Sequence, residues 1–321
     1  MKRDWKKIGL LCLSMLLTAC GAQNKEIEQE KLTVVSSFYP IYLLAQEVTA
    51  GSERVQLLNM AQPQTGCLHD YELTIADMKI LEQADVLLIN GGGMESFLEQ
   101  ALERYPALQV VDTSHGIELL EAGTHHHHEE EAHEEEVHAE EADPHEGHDH
   151  EENPHIWLSP ARAAAQAEEM AEALGELVQE EAALFHANAE AFHHEVHELE
   201  EAAAKIALPA ETFAAVFHEG FGYLAELFHM EPAVELFADE YQIPSARELV
   251  QAAEEAAAHE IRFYLTAADN GQKYAKVLAA EQGEQIILLD PLTTQDTKQL
   301  SYTERMKKNI EAVKAYELKQ K

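Results

Sequence analysis

The chain has 321 residues, 46% of them hydrophobic, which suits one large or two medium domains with real cores. Its formal net charge of −38 offers no Lys/Arg footprint for a nucleic-acid backbone, so nucleic acid is excluded as a partner. An acidic surface of this kind suits cationic cargo, although a solvated acidic surface is the commoner reason for such charge.

In chain order, residues 1–19 read as an export signal. Lys2, Arg3, Lys6 and Lys7 form a basic start, and Ile8 to Leu17 an apolar stretch too short to span a membrane. Leu17-Thr18-Ala19-Cys20, followed by Gly21, resembles a bacterial lipobox, which makes Cys20 the lipidated first residue of the mature protein. Residues 20–31 read as a flexible tether. Cys12 leaves with the signal, so only Cys20 and Cys67 remain and no internal disulfide framework is expected.

Residues 32–123 alternate strand and helix signals. Strands are expected at Leu32–Val35, Arg54–Leu58, Val86–Ile89 and Gln109–Asp112, with helices at Ile41–Val48, Thr74–Ala84 and Ser96–Arg104. Asn90-Gly91-Gly92-Gly93 is a strand-end turn that lacks the spacing and the lysine of nucleotide-binding loops. Residues 124–152 are almost entirely histidine and acid. His125, His126, His127, His128, His133, His138, His145, His148 and His150 stand among thirteen Asp and Glu, with no Lys or Arg. This composition cannot bury a core and reads as a disordered, low-affinity ligand for zinc-like ions.

Residues 153–158 form a proline-flanked segment, and residues 159–207 a helical linker with a break expected at Gly175. In residues 208–321 the alternation resumes. Strands are expected at Thr212–Phe217, Val234–Phe237, Arg262–Leu265 and Gln285–Leu289, and helices at Gly222–Phe228, Ser245–His259, Gly271–Glu281 and Tyr302–Leu318. The fold class is therefore α/β: two parallel-sheet lobes joined by one long rigid helix, with a ligand site in the cleft between them. His186, His193, His194 and His197 read as a solvated helix face, and no H-E-x-x-H motif supports a zinc hydrolase. His115, His229 and His259 have no supporting context.

Four candidate ligands lie at strand ends or on the loops beyond: His69, His155, His218 and Asp290. The segments that carry them, with Ser36-Ser37-Phe38-Tyr39-Pro40, Gly222-Tyr223 and Pro244-Ser245, resemble the metal-binding lipoprotein family of ABC-transporter solute-binding proteins, in its zinc-uptake (ZnuA-like) branch. They stand in the family's order across nearly the whole mature chain. The resemblance implies that His69, His155 and His218 are metal ligands and Asp290 the fourth. It also implies a cognate ABC permease with its ATPase, an extracytoplasmic and lipid-anchored location, and no enzymatic activity. A monomer is expected. Three imidazole nitrogens and one carboxylate suit zinc as the transported ion, with manganese second.

This chain departs from the family at two places. Leu68, preceded by Cys67, stands where proline is usual before the first histidine. Thr293 stands where some zinc carriers supply an acid, which leaves Asp290, Glu72 or water to complete the sphere. The competing function is an extracellular metal buffer or adhesion protein in which the His/acid tract is the main agent.

Overall fold

Strands with no polar alternation, such as Phe263–Thr266 (all four residues buried) and Val86–Ile89, are those of sheets covered on both faces. The computed structural model describes residues 31–62, 68, 71–121, 152–209, 211–236, 243–268, 271–282 and 285–317. In it two such sheets form, one in each lobe.

The first lobe holds β1 (Leu32–Ser36), α1 (Tyr39–Val48), β2 (Val55–Asn59), α2 (Ile75–Leu81), β3 (Val86–Ile89), α3 (Glu99–Leu102) and β4 (Gln109–Asp112). Its strands pair in the order β2-β1-β3-β4, all parallel. Thr74 caps α2 reciprocally with Asp77, so the helix begins one residue after the expected start. The helix expected over Ser96–Arg104 is shorter: a 3₁₀ turn at Ser96–Leu98 runs into a single turn of α-helix.

Two short strands follow, β5 (Leu120–Glu121) and β6 (Glu152–Asn153), paired antiparallel with Leu120 opposite Asn153. After a 3₁₀ turn at Ile156–Leu158 come α4 (Pro160–Leu177) and α5 (Ala182–Ala204). The two helices lie antiparallel: His193 of α5 meets Glu168 of α4, and Gly175 of α4 faces Ala182 of α5. The break expected at Gly175 falls instead after Leu177, with Val178 as the C-cap. Gly175 is buried within α4, where a Cβ would sit 3.2 Å from that of Ala182. Its small size serves close helix packing, and no turn occurs there.

The bridging helix is α5. Its Asn188 Nδ2 donates to the carbonyls of Val48 and Ala50 in the first lobe, both at 2.9 Å. Further along, Glu195 accepts from Thr303, and Phe192 packs edge-on against Tyr302, in the second lobe. His186, His193, His194 and His197 line its exposed face, as the sequence implies.

The second lobe comprises β7 (Thr212–Val216), α6 (Phe221–Leu227), β8 (Met230–Glu235), α7 (Ala246–Ala258), β9 (Phe263–Thr266), α8 (Gly271–Gln282), β10 (Gln285–Leu288) and α9 (Tyr302–Glu317). The order is β10-β9-β7-β8, again all parallel. The strand expected at Val234–Phe237 begins earlier, at Met230, because His229 turns the chain with φ of 55°. Pro232 lies within it, which is tolerated because β8 is an edge strand and its register with β7 shifts between Ala214 and Ala215.

One apolar cluster runs through both lobes and the helices between them, including Val34, Leu44, Trp157, Phe185, Val216 and Leu265. No described helix is long and apolar enough to cross a membrane. Fully buried Tyr302 donates from its hydroxyl to the Trp157 carbonyl at 2.8 Å, tying α9 to the segment between β6 and α4. Tyr302→Phe leaves that carbonyl without its donor. The expected loss is about 1–3 kcal/mol of unfolding free energy, read from urea denaturation.

Candidate metal centre

Residues 153–158 connect the small antiparallel pair to α4, and buried polar groups hold them on both sides. From the first lobe, Asn90 Nδ2, just beyond β3, donates to the Pro154 carbonyl at 2.8 Å. From the second, the Tyr223 hydroxyl on α6 donates to the Asn153 carbonyl at 2.6 Å and accepts from the Leu120 amide at 3.0 Å. Burial pushes the Tyr223 phenol up to about 12, so it remains a donor at neutral pH. Trp157 Nε1 donates to the Pro291 carbonyl at 2.9 Å, which ties in the loop after β10.

His155 sits in this segment with 1% of its surface exposed. Its tautomer follows from the hydrogen bonds of Asn153. The Asn153 Nδ2 donates to the Glu219 carbonyl at 2.9 Å, and its Oδ1 accepts from the His155 amide at 3.1 Å. The same Oδ1 lies 2.9 Å from His155 Nδ1 and can only accept there. Nδ1 therefore carries the hydrogen, and the imine lone pair is on Nε2, as a metal-ligating histidine requires.

His218 follows β7, and its ring lies edge-on to that of His155, with centroids 5.1 Å apart and planes at 75°. Its Nδ1 accepts from the Gly220 amide at 3.1 Å. In this geometry the neutral ring carries its hydrogen on Nε2. The two segments approach closely because residue 220 has no side chain: a Cβ there would lie 2.5 Å from Leu158 Cδ1 and 2.9 Å from His155 Cβ.

Asp290 ends the β10 segment in a constrained loop. Arg305 of α9 forks onto it, with Nε 2.7 Å from Oδ2 and Nη2 2.5 Å from Oδ1. The Leu292 amide also donates to Oδ1, at 2.9 Å. Asn309 bonds both the amide and the carbonyl of Asp290. Buried Leu292 is held at φ of 61°, a conformation costly for a branched side chain.

The other expected ligands distribute as follows. His69 lies outside the described residues, as do Cys67, Cys20 and the tract histidines His125, His126, His127, His128, His133, His138, His145, His148 and His150. Leu68 is buried beside the His69 position, and Glu72 is exposed. His115, His229 and His259 are exposed. Among the described residues no three His, Cys, Asp or Glu side chains converge closely enough to hold an ion. The pair brought together is His155 and His218.

A carboxyl group with no expected role lies beneath the segment. Glu95, 6% exposed, accepts from the Ser37 hydroxyl and the Asn90 amide, each at 2.7 Å, and from the Gly91 amide at 3.1 Å. Burial outweighs these three donors and raises its pKa to about 7. Gln166 of α4 completes the layer, donating to Asn90 and Thr113. The run from Asn90 to Glu95, which reads in sequence as only a turn, thus supports the carbonyl that precedes His155.

The sequence matches the family described as "Zinc-uptake complex component A periplasmic" over residues 34–316. It is 28% identical to the zinc-binding lipoprotein AdcA of Streptococcus pneumoniae, over 96% of this chain but only 60% of that protein's length. It is also 28% identical to the high-affinity zinc uptake system protein ZnuA of Bacillus subtilis, over 98% of each. In fold it is similar to the solute-binding protein FpvC of Pseudomonas aeruginosa. The Ni2+ complex of FpvC superposes with a TM-score of 0.74 at 20% identity, covering 91% of this chain and 98% of that one. Its Mn2+ complex gives 0.73 at 19% identity, covering 91% and 100%.

Two outcomes are expected of this site. Asn153→Ala removes the acceptor that sets the His155 tautomer and should weaken metal affinity about 10- to 100-fold, measured by chelator competition. For Glu95, the native pKa of about 7 lies above the ordinary 4.5. The native state therefore keeps a proton that the unfolded chain has released, and the resulting stability is full below pH 4.5 and lost as pH rises through about 7. That loss is about 3 kcal/mol by linkage, and Glu95→Gln should flatten it in denaturation curves taken across this range.

Proposed function

The chain belongs to the zinc-uptake complex component A family, whose members are extracytoplasmic solute-binding components of transport and not enzymes, and from that premise we propose that it captures a zinc ion between its lobes and delivers it to a cognate ABC permease driven by an intracellular ATPase. The observation that carries this reading is the buried His155, its lone pair directed to Nε2 by Asn153, beside His218 where the lobes meet. In the proposed ligand set His69 and Asp290 join these two. Three imidazoles with one carboxylate form a nitrogen-rich tetrahedral set, which zinc accepts more readily than manganese. The names of the streptococcal and Bacillus relatives are consistent with zinc.

Acylation of Cys20 is proposed to anchor a monomer to the membrane through the tether of residues 20–31. The β5–β6 pair sets Glu121 opposite Glu152, next to the segment that carries His155. The tract is proposed to gather weakly bound zinc there and pass it inward.

Metal-free protein should melt higher as zinc is added, gaining about 2.7 kcal/mol when free zinc reaches 100 times the dissociation constant. His155→Ala and His218→Ala should each abolish that shift, and binding should weaken as pH falls through the imidazole range. Deletion of residues 124–152 separates this reading from a metal buffer: one tight site should survive in titration, whereas a buffer would lose tight binding altogether.

A further inference from the structure

We propose that Glu95 is a positioning residue of the metal site, holding His155 in place through the turn of residues 90–93. This rests on the reading of His155 as a ligand and adds a first-lobe carboxylate that acts on it from a distance. The turn has little stiffness of its own. Gly91, Gly92 and Gly93 follow one another with φ of 82°, 60° and 84°, a region that glycine enters and leaves at little cost. Glu95 fixes the start of the turn. Its Oε1 accepts from the Ser37 hydroxyl and the Asn90 amide, and its Oε2 from the Gly91 amide. With Asn90 so held, its Nδ2 meets the Pro154 carbonyl, one residue before His155. Gly92 lies against the same proline: a Cβ there would be 3.5 Å from Pro154 Cα. A second route runs through Ser37. Its neighbour Phe38 packs edge-on against Trp157, with ring centres 5.1 Å apart, and the Trp157 ring lies 5.0 Å from that of His155.

The three groups that meet this carboxylate act as donors, the pattern that suits its ionised form. A proton turns one oxygen into a hydroxyl, a poorer acceptor that needs a partner of its own. A glutamine goes further: in either orientation its NH2 faces the Asn90 or the Gly91 amide, donor against donor. Charge on residue 95 therefore tightens the turn, and neutrality loosens it. Burial brings the change of charge close to neutral pH, and Asp112, at the end of β4, pushes in the same direction.

The test measures the zinc affinity of the full chain by chelator competition at pH 8 and pH 6, on either side of the Glu95 pKa of about 7, with folding checked by circular dichroism. The ratio of parent to variant cancels the protonation of the histidines, which both share. Glu95→Gln should weaken binding about tenfold at pH 8 and no more than about threefold at pH 6, where the parent is itself neutral at this position. Parental affinity at pH 8 overturns the proposal. So does an equal loss at both pH values, which is the mark of general loosening. Ser37→Ala takes one donor from the same carboxylate and carries the test where Glu95→Gln does not fold. Its expected loss is about threefold at pH 8, and an unchanged affinity there also overturns the proposal. The site reading fails separately: His155→Ala would then leave zinc affinity within about twofold of the parent.

Discussion

The structure depends on how residues 153–158 are held. A segment outside both sheets and buried between two lobes has backbone groups that neither sheet can pair, and each unpaired group would cost a large part of a hydrogen bond. Here the Asn153 and Pro154 carbonyls are satisfied by Tyr223 and Asn90, and the Trp157 carbonyl by Tyr302. These donors come from both lobes and from α9, so the contacts that place His155 are also those that hold the lobes together.

Beneath the segment lies a polar layer. Glu95, Asn90, Thr113 and Gln166 are buried and bonded to one another or to adjacent backbone. Such layers are costly when incomplete and rigid when complete, and this one supports the segment that carries His155. The same logic holds for the loop after β10, where Asn309 and Arg305 keep Leu292 in a strained conformation.

Most of the architecture was legible in the sequence. β3 and β4 occupy the residues expected of them, and for β3 the reason is that a continuous apolar run in a covered parallel strand leaves no competing period. Gly175 misled, because a buried helix–helix contact demanded a small residue where a turn was expected. The first residues of β8 were missed, and there an edge strand accepts Pro232. In the site, His218 stood out at the end of an apolar run and His155 in a segment flanked by prolines. Glu95 and Arg305 did not stand out. Each acts through partners distant in sequence, Ser37 for one and Asp290 for the other, and only the folded chain juxtaposes them.

The short ladder between β5 and β6 has a further consequence. With Leu120 opposite Asn153, Glu121 and Glu152 are partners although residues 122–151 separate them in sequence. The stretch of sequence between them is thus an insertion whose two flanking residues are already paired. The entropy of closing such an insertion grows only logarithmically with length, about 0.6 kcal/mol per doubling. The number of histidines it carries is therefore a quantity that selection can tune almost independently of the stability of the fold.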